Sequence, residues 1–529
     1  MKTKYIALVL TSAVLFFSGC SKIDDFLDEE PSKNTQQTIE TADQLDAVLA
    51  TYATYPVNTF EEKSDIMFAS DDYEIDCIHH KYLKRGYVPR QLVFGLWADE
   101  NTVETSGYTW RAEYQKIYLA NLVLDNIDKV SGGTEEFKAN LKADAHFLRA
   151  VCYFQLALAY CLYYDGTNGD ELGITLKKTT SFEEDLTRAS LKDTWEALDN
   201  EVEEALKITK PFDNKGTHIN YRGSTASVRS FAARYYLYKG DYENAAKYAK
   251  MALDEYSVLK DFNDPEQMYN YSYHPKYTIN KGTENERTIT FNYPYIYKQL
   301  YIYWGDEGSQ MDVFLGWEEF LYAKAMSSSY YFYPSQGLLN AYNTDVPEGD
   351  PHNDLRYKNF MIDEFMVSQT NQLDDGACMP GYINYMGDII SGPTTAEMYL
   401  ILAECAARSN DVTSAMKYLN TLRKTRIRAA VYQDLTATDA KDALKKILME
   451  RRREKPFSIR WYDMKRLNAN DPENQITVTR TFYPYNSSAV LSSEQPIEYK
   501  LEPGSRHYAL PIYSEEIENS KNVIQQNTY

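Results

Sequence analysis

Cys20 carries the first piece of chemistry that the chain offers. It closes Ser18-Gly19-Cys20, directly behind a stretch from Tyr5 to Phe17 that is almost wholly apolar and follows Lys2 and Lys4. That stretch is too short and wrongly flanked for a stable membrane span. A basic start, an apolar middle and small residues before a cysteine have the order of a lipoprotein export signal. Such a signal is cut before the cysteine, so residues 1–19 are expected to leave and Cys20 to carry a lipid on its thiol. Phe17 stands where leucine is more usual in these signals.

A second set of residues could hold a ligand by stacking and hydrogen bonding. Trp97 lies in Phe94-Gly95-Leu96-Trp97-Ala98-Asp99-Glu100-Asn101, where an indole face and the Asn101 amide would suit a sugar ring. The richest aromatic tract is Tyr293, Tyr295, Tyr297, Tyr301, Tyr303 and Trp304, with Trp317 beyond it. Alternation from Tyr293 to Tyr297 puts three rings on one face of an extended strand. The same alternation also fits a half-buried strand packed on helices. The chain has 47 tyrosines, a residue with a flat apolar face and a polar tip that serves wet interfaces and helix packing alike, so the count alone does not choose between them.

Two charged clusters invite other readings. Asp71, Asp72, Glu74, Asp76, His79 and His80 form the densest set of possible metal ligands, but their spacing fits neither an EF-hand nor a zinc pattern. They are read as solvated loop charges. Glu450-Arg451-Arg452-Arg453-Glu454, with Arg460 and Arg466, alternates in sign as a salt-bridged helix face does. No Gly-x-Ser-x-Gly elbow, phosphate loop or HExxH helix is present. Carboxylates are so plentiful that their proximity in sequence is no sign of glycosidase chemistry. Neither cofactor nor metal is implied.

The elements that must position these residues are mainly helical. In Thr394–Ser409, Tyr399, Leu402, Ala403 and Ala406 share one helical face; Asn410-Asp411 breaks the pattern, and Ala415, Tyr418, Leu419 and Leu422 repeat it. Ser224–Lys239, the turn Gly240-Asp241, and Ala245, Tyr248, Ala249 and Ala252 make a second such pair. Small alanines let paired helices approach closely, as in tetratricopeptide hairpins. Further helices are expected at Thr109–Val130, Asn140–Tyr163, Leu191–Lys207 and Ala437–Lys455. Trp110, Trp195 and Trp461 fall inside helical patterns and are expected in the core. Residues 261–393, rich in Tyr, Gly, Pro, Asn and Ser, read as loops with short strands, the kind of block that carries binding surfaces.

The sequence has 529 residues and a formal net charge of −21, which becomes −23 when Lys2 and Lys4 leave with the signal. Such a surface repels phosphate backbones, so nucleic acid is not an expected partner. Besides Cys20 there are Cys77, Cys152, Cys161, Cys378 and Cys405. That odd number without a CxxC pair points to buried thiols rather than disulfides or zinc.

Taken in order, several motifs resemble the SusD/RagB family of surface glycan-binding lipoproteins. They are Trp110, Tyr114, Ile117 and Asn121; Ala145-His146-Phe147-Leu148-Arg149-Ala150 with Tyr153-Phe154 and Leu156; and Gly240-Asp241-Tyr242 with Ala245 and Ala246. Then come Pro334-Ser335-Gln336, Leu339, Ala341-Tyr342, Asp354 and Arg356; Glu397-Met398-Tyr399-Leu400 with Ala403-Glu404; and Glu450-Arg451, Arg460-Trp461, Asp463 and Arg466. Leu510-Pro511-Ile512, Glu516-Ile517, Asn519 and Gln526-Asn527 resemble the family's C-terminus. Tyr163-Tyr164-Asp165-Gly166, Ser458 and Ile459 depart from the family pattern in scaffold segments. The acidic run Asp24, Asp25, Asp28, Glu29 and Glu30 behind Cys20 resembles the surface-export signal of Bacteroidetes lipoproteins.

The resemblance implies a tetratricopeptide-like helical scaffold with an irregular, loop-rich ligand-binding region. It divides the mature chain into a helical region, 20–260, and a second region, 261–529, with helices at 394–467. It implies non-catalytic capture of a glycan at the outer-membrane surface and delivery to a SusC-like TonB-dependent transporter. A RagB-like peptide receptor and a surface glycoside hydrolase are the alternatives. Trp97, Asn101, Tyr293, Tyr295, Tyr297, Trp304 and Trp317 are the candidate ligand contacts.

Overall fold

The computed structural model describes residues 39–54, 60–62, 66–82, 86–100, 108–213, 220–265, 276–279, 282–284, 286–290, 318–327, 332–366, 372–373, 378–382, 389–486 and 489–529. The long helices are α1 (Ala42–Thr54), α2 (Tyr108–Asn126), α3 (Glu135–Tyr160), α4 (Leu191–Ala205), α5 (Thr225–Lys239), α6 (Tyr242–Glu255), α7 (Thr395–Arg408), α8 (Val412–Arg426), α9 (Ala440–Glu454) and α10 (Arg460–Asn470). Neighbours in the chain pack as antiparallel hairpins. α3 lies between α2 and α4, α5 pairs with α6, and α6 passes the array on to α7, which holds α8 and α9. The expected helical scaffold is therefore present.

Two hairpin turns use one device. Gly240 ends α5 at φ 79° and Asn410 follows α7 at φ 63°, both in the left-handed region that Gly and Asn tolerate best. The next residue, Asp241 or Asp411, then caps the following helix by accepting from the Asn244 or Ser414 amide, at 3.0 Å in each case. Ala245, Ala249 and Ala252 are fully buried where α6 meets its neighbours, and Tyr236 stacks on Tyr248 at 5.5 Å beside them.

α7 departs from the single stripe that its sequence predicts. Met398, Ile401 and Leu402 pack towards α5 and α6, whereas Ala396, Leu400, Ala403 and Ala407 pack towards α8 and α9. The helix is central, so Tyr399 and Ala406 of the expected stripe are its less buried positions. Trp110, Trp195 and Trp461 are core residues, as predicted.

The largest core cluster runs from Ala42 to Ile524, and late residues finish early helices. Lys465 donates to the carbonyls of Leu158 (2.8 Å) and Cys161 (2.6 Å) at the C-terminus of α3. Leu510 N–H reaches the Ala159 carbonyl, and the Asn527 amide reaches those of Tyr160 and Leu510. Among the described residues of 261–393 are short strands and the short helices Gln336–Asn343 and Leu355–Phe360.

Candidate ligand-binding face

Residues 66–82 and 86–100 make an irregular layer with three short helices, Ile66–Ala69, Cys77–Tyr82 and Pro89–Gly95. Several carbonyls that its turns leave open are satisfied by side chains from elsewhere in the chain. Arg480 is the main one. It sits on the inward side of the strand Val478–Phe482, which pairs antiparallel with Ile497–Leu501. Its guanidinium donates to the carbonyls of Phe68 (2.9 Å), Ser70 (2.7 Å), Tyr73 (2.8 Å) and Gly95. Burial pulls its pKa down to about 10, with Glu74 the first charge opposing that shift.

A second pin is ionic. Arg460 grips Asp71 through Nε at 2.6 Å and a second nitrogen at 2.8 Å, and Arg452 Nε reaches Asp72 at 2.7 Å. The other oxygen of Asp72 accepts from the Phe457 amide at 3.0 Å, which holds that buried ring residue at φ 63°. Burial pushes Asp71 upward, but Arg452 and Arg460 prevail and keep it well below the usual carboxylate range. Asp72 is raised by burial and by the charge of Asp71, against Arg452. The solvated-loop reading of these two aspartates is thus corrected: both belong to buried ion pairs that fasten the layer to α9 and α10.

Beneath it lies a wider charged lattice. Arg356 bonds Asp354 (2.6 Å), Glu450 (2.5 Å) and Glu454 (2.9 Å), and Arg426 joins Glu454 to Glu319 at 2.8 Å each. Glu450 also takes Arg423 and Arg453. The salt-bridged reading of the arginine-rich stretch is right in kind, but Glu450, Arg451 and Arg453 are buried rather than on a wet helix face. A cavity of about 40 Å³ inside this lattice, lined by Glu319, Arg356, Phe360, Arg453, Glu454 and Lys455, has room for water-sized guests only.

The layer's rim carries polar and ring groups at partial exposure. His79 Nδ1 meets Asp76 Oδ2 at 2.6 Å, and its ring lies 5.9 Å from Tyr333. His80 stacks on Tyr87 at 6.1 Å and turns an edge to Tyr483. Glu74, raised above its ordinary pKa by burial, accepts from the Gln336 amide. Ile78, 65% exposed, stands among them. Among the described residues no group of His, Cys, Asp and Glu is arranged to hold a metal ion. The rim thus offers donors, acceptors and ring edges beside Ile78.

Two family models match the chain: residues 25–237 to "Starch-binding associating with outer membrane" and residues 395–529 to "SusD family". The chain belongs to the SusD/RagB family. Solved structures agree in fold. A SusD superfamily protein from Bacteroides thetaiotaomicron superposes with a TM-score of 0.60 at 17% identity, covering 92% of this chain and 100% of that one. A SusD-like carbohydrate binding protein from Bacteroides vulgatus gives 0.56 at 20% identity, covering 92% and 97%. SusD-like protein P25 of Formosa agariphila is 40% identical over 48 residues, a match that spans 9% of each chain.

In this SusD/RagB protein Trp97 is not a surface platform. It is 5% exposed, its indole N–H donates to the Ala69 carbonyl at 3.1 Å, and the Arg480 guanidinium lies 4.9 Å from its ring. Its φ of 53° makes it the left-handed residue that ends the helix Pro89–Gly95, with the Ala98 amide returning to the Val93 carbonyl. That geometry turns the indole inward, away from the open stacking face expected from its sequence context. Cys20, Asn101, Tyr293, Tyr295, Tyr297, Trp304 and Trp317 lie outside the described residues. Sequence reasoning missed Arg480; the alternation of Val478, Arg480 and Phe482 was the available signal that its side chain points inward.

Proposed function

We propose that this protein is a non-catalytic receptor that captures an oligosaccharide at the outer-membrane surface and passes it to a SusC-like TonB-dependent transporter. One observation carries the reading. Both family matches fall on the scaffold, at 25–237 and 395–529, and the block between them holds the aromatic tract Tyr293–Trp304 and Trp317. A shared scaffold with a private aromatic block is what a binder needs when relatives differ in ligand.

Aromatic faces supply area and desolvation, and neighbouring amides and carboxylates orient the hydroxyls. Such contacts are individually modest because each hydroxyl must give up water. Repetition along a polymer compensates through multivalency. The sequence Ser18-Gly19-Cys20 supplies a lipid anchor that keeps the receptor at the membrane.

The test is a glycan array on purified protein, followed by calorimetric titration of each hit and of Trp304→Ala and Trp317→Ala. The expected result is binding of one oligosaccharide class, weakened in a tract variant, with no new reducing ends after long incubation. Binding to a peptide pool instead of any glycan, or release of reducing ends, would overturn the reading.

A further inference from the structure

The most exposed large apolar side chain among the described residues is Phe182, at 91%, followed by Ile78 at 65%. Phe182 is not on a frayed segment. Its loop, between α3 and α4, is tied to the scaffold from several sides. The Asn121 amide donates to the carbonyls of Lys177 (3.1 Å) and Thr179 (3.0 Å), and the Tyr153 hydroxyl donates to that of Lys177 as well (2.5 Å). Asp125 accepts from both the amide and the hydroxyl of Thr180, at 2.9 Å each. Glu184 accepts from the amides of Lys178 and Thr179 and pairs with Lys177 at 2.9 Å. The loop backbone that carries this apolar ring out into water is therefore well tied. There Phe182 stacks on Tyr118 of α2, itself 39% exposed, with ring centroids 6.2 Å apart and planes at 25°.

Two kinds of occupant would use such a pair, and the surrounding chemistry separates them. A sugar needs hydrogen-bonding groups aimed across the ring face. Here those groups turn back into the loop: Thr179 Oγ1 donates to Glu184, Ser181 Oγ accepts from the Glu183 amide, and Asp185 accepts from both the amide and the hydroxyl of Thr187. A ring that is 91% exposed also lines no cavity. A protein partner needs the opposite: a rigid aromatic that pays little ordering entropy and fills a socket, with charge at the edge to set the approach. Glu183 and Asp185 are exposed beside the ring against the single exposed amine of Lys178, because Lys177 is neutralised by Glu184.

We infer that the Tyr118–Phe182 pair is a docking knob for a protein partner that presents an apolar socket rimmed by basic side chains. The inference rests on the transporter reading above and assigns that partner to this knob. The transporter, rather than the glycan, is the occupant of the loop.

The experiment uses the full lipidated chain and the TonB-dependent transporter purified with it from the same outer membranes. Association is measured for wild type, Phe182→Ser, Phe182→Tyr and the double variant Glu183→Lys/Asp185→Lys. Expected are at least tenfold weaker association for Phe182→Ser, near-normal association for Phe182→Tyr, and a slower on-rate that loses its salt dependence for the double charge variant. Melting temperature and glycan titration should not move in any of them. A Phe182→Ser chain that holds the transporter within twofold of wild type would overturn the inference and leave the receptor reading standing. A wild-type chain that forms no transporter complex would overturn both. Loss of glycan binding, or of a homodimer, in Phe182→Ser with the transporter complex intact would also overturn it, by assigning the ring to a sugar or to a second copy.

Discussion

Trp97→Ala tests the inward placement of this ring directly. The substitution removes a buried indole, the hydrogen bond from Nε1 to the Ala69 carbonyl and the ring beneath Arg480. Alanine inherits the left-handed backbone, so no strain is relieved. Large aromatic truncations in cores cost about 3–5 kcal/mol. Unfolding entropy of about 2.1 cal/mol/K per residue gives about 1 kcal/mol/K for a chain of this length, so the melting point should fall by about 3–5 °C. Differential scanning calorimetry on Trp97→Ala, beside Trp110→Ala as a core control of similar burial, reads this shift. The reasoning fails if Trp97→Ala melts within about 1 °C of wild type and loses glycan affinity. That result would mean that the indole leaves the core to meet the ligand.

Arg480→Met should leave the carbonyls of Phe68, Ser70, Tyr73 and Gly95 without their donor, at a cost of about 3–5 kcal/mol. Amide hydrogen exchange should then quicken across residues 66–97 and stay unchanged in α8; uniform quickening would count against the pinning role. Burial pushes Glu397 and Glu404 up, but Arg234 and Arg451 around the first and Arg466 and Arg408 around the second hold both down to about 2, from an ordinary 4.5. The unfolded chain therefore binds more protons between those limits. Their contribution is complete above pH 4.5 and is lost as pH falls towards 2, so melting temperature should drop across that window, less steeply in Glu404→Gln. Cys20→Ala should remove acyl labelling and release the protein from membranes. Replacing Asp24, Asp25, Asp28, Glu29 and Glu30 by alanine should keep the lipid but protect the protein from protease added to intact cells.

What the sequence made legible was local. Gly240-Asp241 and Asn410-Asp411 were readable because helix stops and caps depend on neighbours within four positions. The start of α3 was placed five residues late, since the apolar pattern begins at Leu141 while the real cap is Thr134, which accepts from the Phe137 amide. Asp71 and Asp72 looked solvated because Arg460 and Arg452, which bury them, come about 380–390 positions later. The inward side of Arg480 is legible in the alternation of Val478, Arg480 and Phe482, but its partners are not, because backbone carbonyls have no signature in sequence. The inward turn of Trp97 comes from helix-ending geometry, which hydropathy does not report.

The late residues that finish α3 also set a timetable. Leu158, Ala159, Tyr160 and Cys161 receive hydrogen bonds from Lys465, Leu510 and Asn527, so this helix end stays open until the last few residues of the chain arrive. Arg480 and Arg460 close the layer at residues 66–97 just as late. Contacts between such distant positions form slowly and leave apolar surface exposed meanwhile. The first half cannot complete its fold while the ribosome or the export machinery still holds the second. A chain cut short after α9 would keep its hairpins yet lack its closing bonds, and quality control would meet it as an unfinished protein.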